Sequence, residues 1–219
     1  MLDPAKAQAI LFDLDGTLMD TDDQAVEKLA HRLQRLRWPR PQQTARRLVM
    51  FAETPMNAVM TLLDIFGLDG PAMAFAGRIR RWRGLPARTD FRIVAGARDM
   101  LDTLGERYRL AVVTTRSQTV TQTFLDQHNL HAIFETLVTR ESTWRLKPHP
   151  APVRHAAQLL GVPVEQCIMV GDTTVDVKSA RRAGAQAVAV LCGYGTRREL
   201  ERAGAHLILE HTSHLSSRL

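Results

Sequence analysis

Asp13 and Asp15 stand two residues apart at the end of an apolar run, in the stretch Ile10–Thr21, ILFDLDGTLMDT, with Gly16 and Thr17 directly behind them. A second pair of acids, Asp172 and Asp176, follows another apolar run in GDTTVD; Thr114-Thr115-Arg116 ends a third, and Lys147 lies in LKPHP. Carboxylates gathered in one place repel one another unless a hard cation sits among them. Mg²⁺ answers that need: it takes oxygen ligands, keeps several waters and works beside phosphate. Asp13, Asp15, Asp172 and Asp176 are therefore the expected metal-site acids. Two carboxylates at i and i+2 can then divide the labour, one coordinating and attacking, the other acting as general acid and base. Gly16 lets the backbone turn sharply and approach a phosphate. The Thr114 hydroxyl and the Lys147 ammonium would hold phosphoryl oxygens and neutralise developing charge, with Thr115 a weaker phosphate-binding candidate. Lys147 is one of only four lysines against 25 arginines, which favours a task needing a compact point charge.

These residues need elements to bring them together. Short apolar runs recur at Ala9–Phe12, Leu110–Val113, Leu137–Val138, Cys167–Val170, Ala187–Leu191 and Leu207–Leu209. Apolar residues on consecutive positions mark strands buried on both faces, as in a parallel sheet. Helical stretches lie between them: PHPAPVRHAAQLLG stops at Gly161, and TTVDVKSARRAG stops at Gly184. Strand and helix in alternation imply an α/β fold with a Rossmann-like parallel sheet. In such a sheet ligands bind at the carboxyl ends of the strands, where the acids, the threonines and Lys147 would converge.

One interval breaks the alternation. TDDQAVEKLAHRLQRL opens it with Thr21 as N-cap and acids in the first turn, and helical periodicity continues through PAMAFAGRIRRWRG with no convincing strand. The expected organisation is an α/β core of residues 1–18 and 94–219, interrupted by an all-helical domain over 19–93, with LPARTDFRIVAG as the return linker. The charge distribution follows the same division. Between Asp22 and Arg92, twelve arginines and one lysine face seven acids, an excess of six that accounts for the whole net charge of +6. A basic surface attracts anions. Arg46, Arg47 and the Arg78–Arg83 cluster are candidates for contacting a second anionic group, although arginine preference throughout the chain gives an ordinary solvated face as well.

No apolar run approaches the roughly 18–20 residues a membrane span needs. The opening residues carry acids where an export signal would be apolar, so a cytoplasmic protein is expected. Cys167 and Cys192 lie in or beside apolar runs and read as buried, reduced thiols. With 5% aromatic residues and no recognised binding module, nucleic acid is not an expected partner. Asp20, Asp22 and Asp23 are better explained by a helix dipole than by chemistry, and His149, His211 and His214 as solvated side chains.

Taken together, DLDGT, the strand-end VVTT, KPHP and GDTTVD resemble, in order, the four motifs of the haloacid dehalogenase superfamily. The insertion between the first two motifs is similar to the C1 cap of its phosphoglycolate phosphatase and β-phosphoglucomutase branch. The resemblance implies a Mg²⁺-dependent phosphatase of a small phosphorylated metabolite, working through an aspartyl-phosphate. Residue by residue, it implies Asp13 as nucleophile and metal ligand, and Asp15 as general acid/base lending its backbone carbonyl to the metal. Thr114 and Lys147 would bind the phosphoryl group; Asp172 would complete the metal site, with Asp176 supporting it directly or through water. Asp15 argues against the dehalogenase branch, which lacks that second acid. A phosphomutase of the β-phosphoglucomutase type shares these motifs and stays open as an alternative. So does a non-catalytic anion- or nucleic-acid-binding protein on the same fold, although the motifs are intact. LVMFAETPMNAVM has no glycine where relatives often carry a specificity loop, so neither phosphoglycolate, a sugar phosphate nor pyrophosphate is implied as the substrate.

Overall fold

Residues 2–20, 31–35, 44 and 91–219 are described by a computed structural model. Six short strands form one parallel sheet: β1 (Ala9–Phe12), β4 (Arg109–Val113), β5 (Thr136–Val138), β6 (Cys167–Gly171), β7 (Gln186–Val190) and β8 (Leu207–Leu209). Every residue of β1 and β6 is buried, as continuous apolar runs require when helices cover both faces. The spatial order is β5-β4-β1-β6-β7-β8. The chain thus builds outward from β1 on one side, then returns to build outward on the other. The direction reverses between β1 and β6, and such a switch point opens a crevice at the carboxyl ends of the strands.

Among the described residues, five helices accompany the sheet: α1 (Ala97–Gly105), α2 (Gln118–Gln127), α3 (Ala151–Leu160), α4 (Thr174–Ala183) and α5 (Arg197–Ala203). Alternate strand residues face opposite layers. Ile10, Phe12, Leu110, Val112, Ile168 and Val170 pack with Leu101 and Leu104 of α1 and Phe124 and Leu125 of α2. Leu11, Ala111, Val113, Met169 and Ala187 pack with Val153 and Leu160 of α3, Val177 and Ala180 of α4 and Leu200 of α5. Gly161 and Gly184 end α3 and α4 in the left-handed conformation, at φ 64° and 97°, which costs glycine least.

Two further strands form an antiparallel ribbon, β2 (Met19–Asp20) against β3 (Arg92–Ile93), with Met19 opposite Ile93 and Asp20 opposite Arg92. The sequence reading placed no strand here. At two residues each, these strands are too short to show a period, and they exist only because their partner lies about 70 residues away along the chain. By its contacts the chain divides into Met1–Thr21 with Phe91–Leu219, and Asp22–Asp90. Residues 31–35 are helical. The rest of the expected helical domain, with Thr21, Arg46, Arg47 and the 78–83 cluster, lies outside the described residues. Among the described residues no helix is long and apolar enough to cross a membrane.

Candidate active site

Asp13 directly follows β1, Thr114 follows β4 and Asp172 follows β6, and these three strands are neighbours with β1 in the middle. Parallel alignment therefore delivers all three side chains to one edge of the sheet, at the switch point. Asp176 joins them from the first turn of α4. Lys147 arrives from the segment between β5 and α3.

One buried ammonium ties the acids together. Lys147 Nζ donates to Asp13 Oδ1 at 2.7 Å, to Asp176 Oδ1 at 2.6 Å and to the Val113 carbonyl at 2.8 Å. Asp176 Oδ2 in turn accepts from the Thr173 backbone N–H at 3.1 Å and from its hydroxyl at 2.5 Å. Asp176 is thus both the capping acid of α4 and a partner of the site's lysine. Carboxylate oxygens of Asp13, Asp172 and Asp176, all buried, lie within 4.8 Å of one another. Burial, aided by repulsion from Asp176 and Asp15 and opposed by Lys147, lifts the Asp13 carboxyl from 3.8 to about 7. Asp172 is likewise raised, by burial first and then by Asp176 and Asp13. Burial pulls the Lys147 ammonium down, but Asp13 and Asp176 outweigh it and the group is raised overall.

Asp15 is held apart from that cluster. Arg116 grips it bidentately, Nε to Oδ2 and Nη2 to Oδ1, each at 2.7 Å. With every carboxylate ionised, Asp13, Asp15, Asp172 and Asp176 face one ammonium and one guanidinium, leaving two uncompensated negative charges. Donors that are all oxygen, and a deficit of two, fit one hard divalent cation such as Mg²⁺.

Two glycines make the packing possible. Gly16 has φ +67°, and a Cβ there would lie 2.8 Å from Asp172 Cγ; the position needs glycine for its backbone and for the room it leaves to Asp172. Gly193, in the loop after β7, would also drive a Cβ into the Asp172 side chain. That loop holds Asp172 in place: the Tyr194 N–H donates to Asp172 Oδ2 at 2.7 Å and the Gly195 N–H to the Asp172 carbonyl at 3.0 Å.

The acids Asp13, Asp172 and Asp176 thus meet Lys147, with Asp15 and Gly16 beside them. Thr114 is buried, and its hydroxyl accepts the Arg116 N–H at 3.1 Å; Thr115 follows it, half-buried. Arg116 carried no assigned role in the sequence, since nothing local marks an arginine's partner 101 residues away. The Gly193–Gly195 loop was missed as well, and the signal available was the pair of glycines following the apolar run of β7. Cys167 is buried as expected, but Cys192 is only half-buried. It sits in the same loop, its thiol 3.4 Å from the Gly16 carbonyl. His149, expected to be solvated, is half-buried just ahead of α3, its Nδ1 accepting the Ala151 N–H at 3.1 Å, while His211 and His214 are exposed as expected.

Comparison with known proteins places this geometry in context. The family described as haloacid dehalogenase-like hydrolase matches residues 10–190. A phosphoglycolate phosphatase of Cupriavidus necator is 33% identical over 191 residues, covering 85% of this chain and 81% of that protein. The pyrophosphatase PpaX of Bacillus cereus is 27% identical over 215 residues, covering 96% and 95%. In structure, a haloacid dehalogenase-like hydrolase of Streptococcus pneumoniae shares the fold, with a TM-score of 0.70 at 23% identity over 98% of this chain and 99% of that one. A chain with this sheet order, these four acids at its switch point and this extent of match belongs to the haloacid dehalogenase-like hydrolase family.

Proposed function

We propose that this protein is a Mg²⁺-dependent phosphatase that hydrolyses a small phosphorylated metabolite through an aspartyl-phosphate on Asp13. The observation that carries the reading is the buried triad of Asp13, Asp172 and Asp176 with Lys147 bonded to two of its members. The relatives named as pyrophosphatase and phosphoglycolate phosphatase support it. Asp13, Asp172 and Asp176, with the backbone carbonyl of Asp15, would hold Mg²⁺, which when bound shields the nucleophile from the charge of the phosphoryl oxygens.

The chain's own residues do the rest. An Asp13 carboxylate oxygen attacks phosphorus, Lys147 fixing the orientation of that carboxylate through Oδ1. As the Asp13–phosphorus bond forms, the bond to the leaving group breaks. The departing oxygen keeps the electron pair and takes a proton from Asp15. Asp15, now a carboxylate, removes a proton from water as that water attacks the phosphorus; the bond to Asp13 breaks and inorganic phosphate leaves. Thr114, Thr115, Lys147 and the Gly16 backbone bind the phosphoryl oxygens. Residues of the 19–93 insertion, read as a cap domain, contribute to the choice of metabolite.

Release of phosphate from p-nitrophenyl phosphate or acetyl phosphate in Mg²⁺ tests the activity, and excess EDTA should abolish it. Asp13→Asn should be inactive with an unchanged circular dichroism spectrum. Undiminished turnover by that variant would remove Asp13 from the nucleophile's role.

A further inference from the structure

In the proposed reaction one oxygen of Asp15 must face the reacting oxygen in both half-reactions, first the leaving group's and then water's. In this structure both oxygens are engaged, each accepting one charge-assisted bond of 2.7 Å from Arg116, which holds the carboxylate in a single orientation. Parallel bonds of a guanidinium fork to a carboxylate are among the strongest polar contacts a protein makes. The arginine's base is fixed: its N–H donates to Thr114 Oγ1 at 3.1 Å and its carbonyl accepts the Arg140 N–H at 3.1 Å. Its side chain is 41% exposed, where that of Lys147 is 2%. Lys147 is committed to Asp13, the proposed nucleophile, and to Asp176. Arg116 is bonded to Asp15, the residue that in the proposed reaction serves the leaving group.

We propose that Arg116 is a substrate-operated latch on Asp15. An anionic group on the leaving side of the substrate takes over the guanidinium fork and frees an Asp15 oxygen for proton transfer. The inference rests on the phosphatase reading above and narrows its substrate class. The preferred substrates are phosphate esters or anhydrides whose leaving group itself carries a carboxylate or a phosphate. A carboxylate or phosphate matches the fork that Asp15 now fills, so the exchange replaces one bidentate pair by another. A neutral leaving group offers no such exchange and has to break the pair without compensation.

The test compares phosphoglycolate and pyrophosphate, whose leaving groups carry an anion, with ethyl phosphate, whose leaving group does not. p-Nitrophenyl phosphate, whose phenolate departs without a proton, reports whether the site is intact. Wild-type full-length protein with Mg²⁺ should favour at least one of the two anionic substrates over ethyl phosphate in kcat/KM. Arg116→Met should shrink that preference roughly 10- to 100-fold, the size of one lost charge-assisted contact, partly by raising KM for the anionic substrates and partly by raising kcat/KM for ethyl phosphate, which no longer has a pair to break. Arg116→Lys, which keeps the charge without the fork, should recover part of it. If Arg116→Met is poorly folded, Arg116→Lys together with inhibition of the wild type carries the test: methylenediphosphonate should compete more strongly than methylphosphonate. An equal loss on all substrates, equal inhibition by the two phosphonates, or a wild type that turns over ethyl phosphate as well as the anionic pair would overturn the latch. In each of those cases p-nitrophenyl phosphate hydrolysis that depends on Asp13 leaves the phosphatase reading standing. No phosphate release from any substrate would overturn that reading instead.

Discussion

Removing the charge of Asp13 should abolish activity and at the same time stabilise the metal-free protein. The Asp13 carboxyl is carried from 3.8 to about 7 by burial and by the neighbouring acids. At about 1.4 kcal/mol per pH unit, that displacement corresponds to roughly 4 kcal/mol of stability withheld from the folded state above pH 7. Asp172 is raised as well, so the two carboxyls can share one proton, and about half of that cost, ~2 kcal/mol, is the gain expected of Asp13→Asn. For a chain of this size ~2 kcal/mol raises Tm by roughly 4–8 °C. The sign has a pH signature. A folded value above the unfolded one means the folded protein binds more protons between about pH 4 and 7, so wild-type stability falls as pH rises through that window. Asp13→Asn lacks that contribution. Its advantage should vanish near pH 4 and be complete above pH 7. Thermal unfolding in EDTA at pH 4, 6 and 8 measures this directly. A variant that melts below wild type at pH 8, or a gap of the same size at pH 4 and pH 8, would refute the account of a carboxylate held against its neighbours' charge.

Gly16→Ala should lower Tm and weaken Mg²⁺-dependent stabilisation together, since an added Cβ strains a φ of +67° and crowds Asp172; a cost of about 2 kcal/mol is expected, read by urea unfolding with and without Mg²⁺. Thr173→Val removes the hydroxyl bonded to Asp176 Oδ2 and should cost about 1 kcal/mol through the lost cap, with a several-fold fall in kcat on p-nitrophenyl phosphate. Phe124→Ala, at a fully buried position between α2 and the sheet, should cost about 3–5 kcal/mol in urea unfolding while the folded fraction keeps its KM.

The strands of the sheet could be read closely from the chain because each is a run of apolar residues buried on both faces: Cys167–Val170 as expected against Cys167–Gly171 as found, Leu110–Val113 against Arg109–Val113. Gly161 and Gly184 announced the ends of α3 and α4 for the same local reason, a backbone conformation that glycine alone takes at little cost. Asp13, Thr114 and Asp172 were identifiable because a parallel sheet makes the end of each strand a meeting place, so knowing the strands located the residues after them. The β2–β3 ribbon, by contrast, was invisible: Met19 and Ile93 pair across about 70 residues, and two-residue strands carry no period.

The sequence alone therefore determined that Asp13, Thr114 and Asp172 directly follow buried strands, because strand burial and strand ends are local properties of residue type and spacing. Tertiary structure decided which charges touch. That Lys147 bonds Asp13 and Asp176 while Arg116 takes Asp15, and that the Gly193–Gly195 loop seats Asp172, depends on distances between segments 22 to 134 residues apart. Such pairings leave no mark in local sequence, because a guanidinium or an ammonium serves any carboxylate that the fold brings within reach.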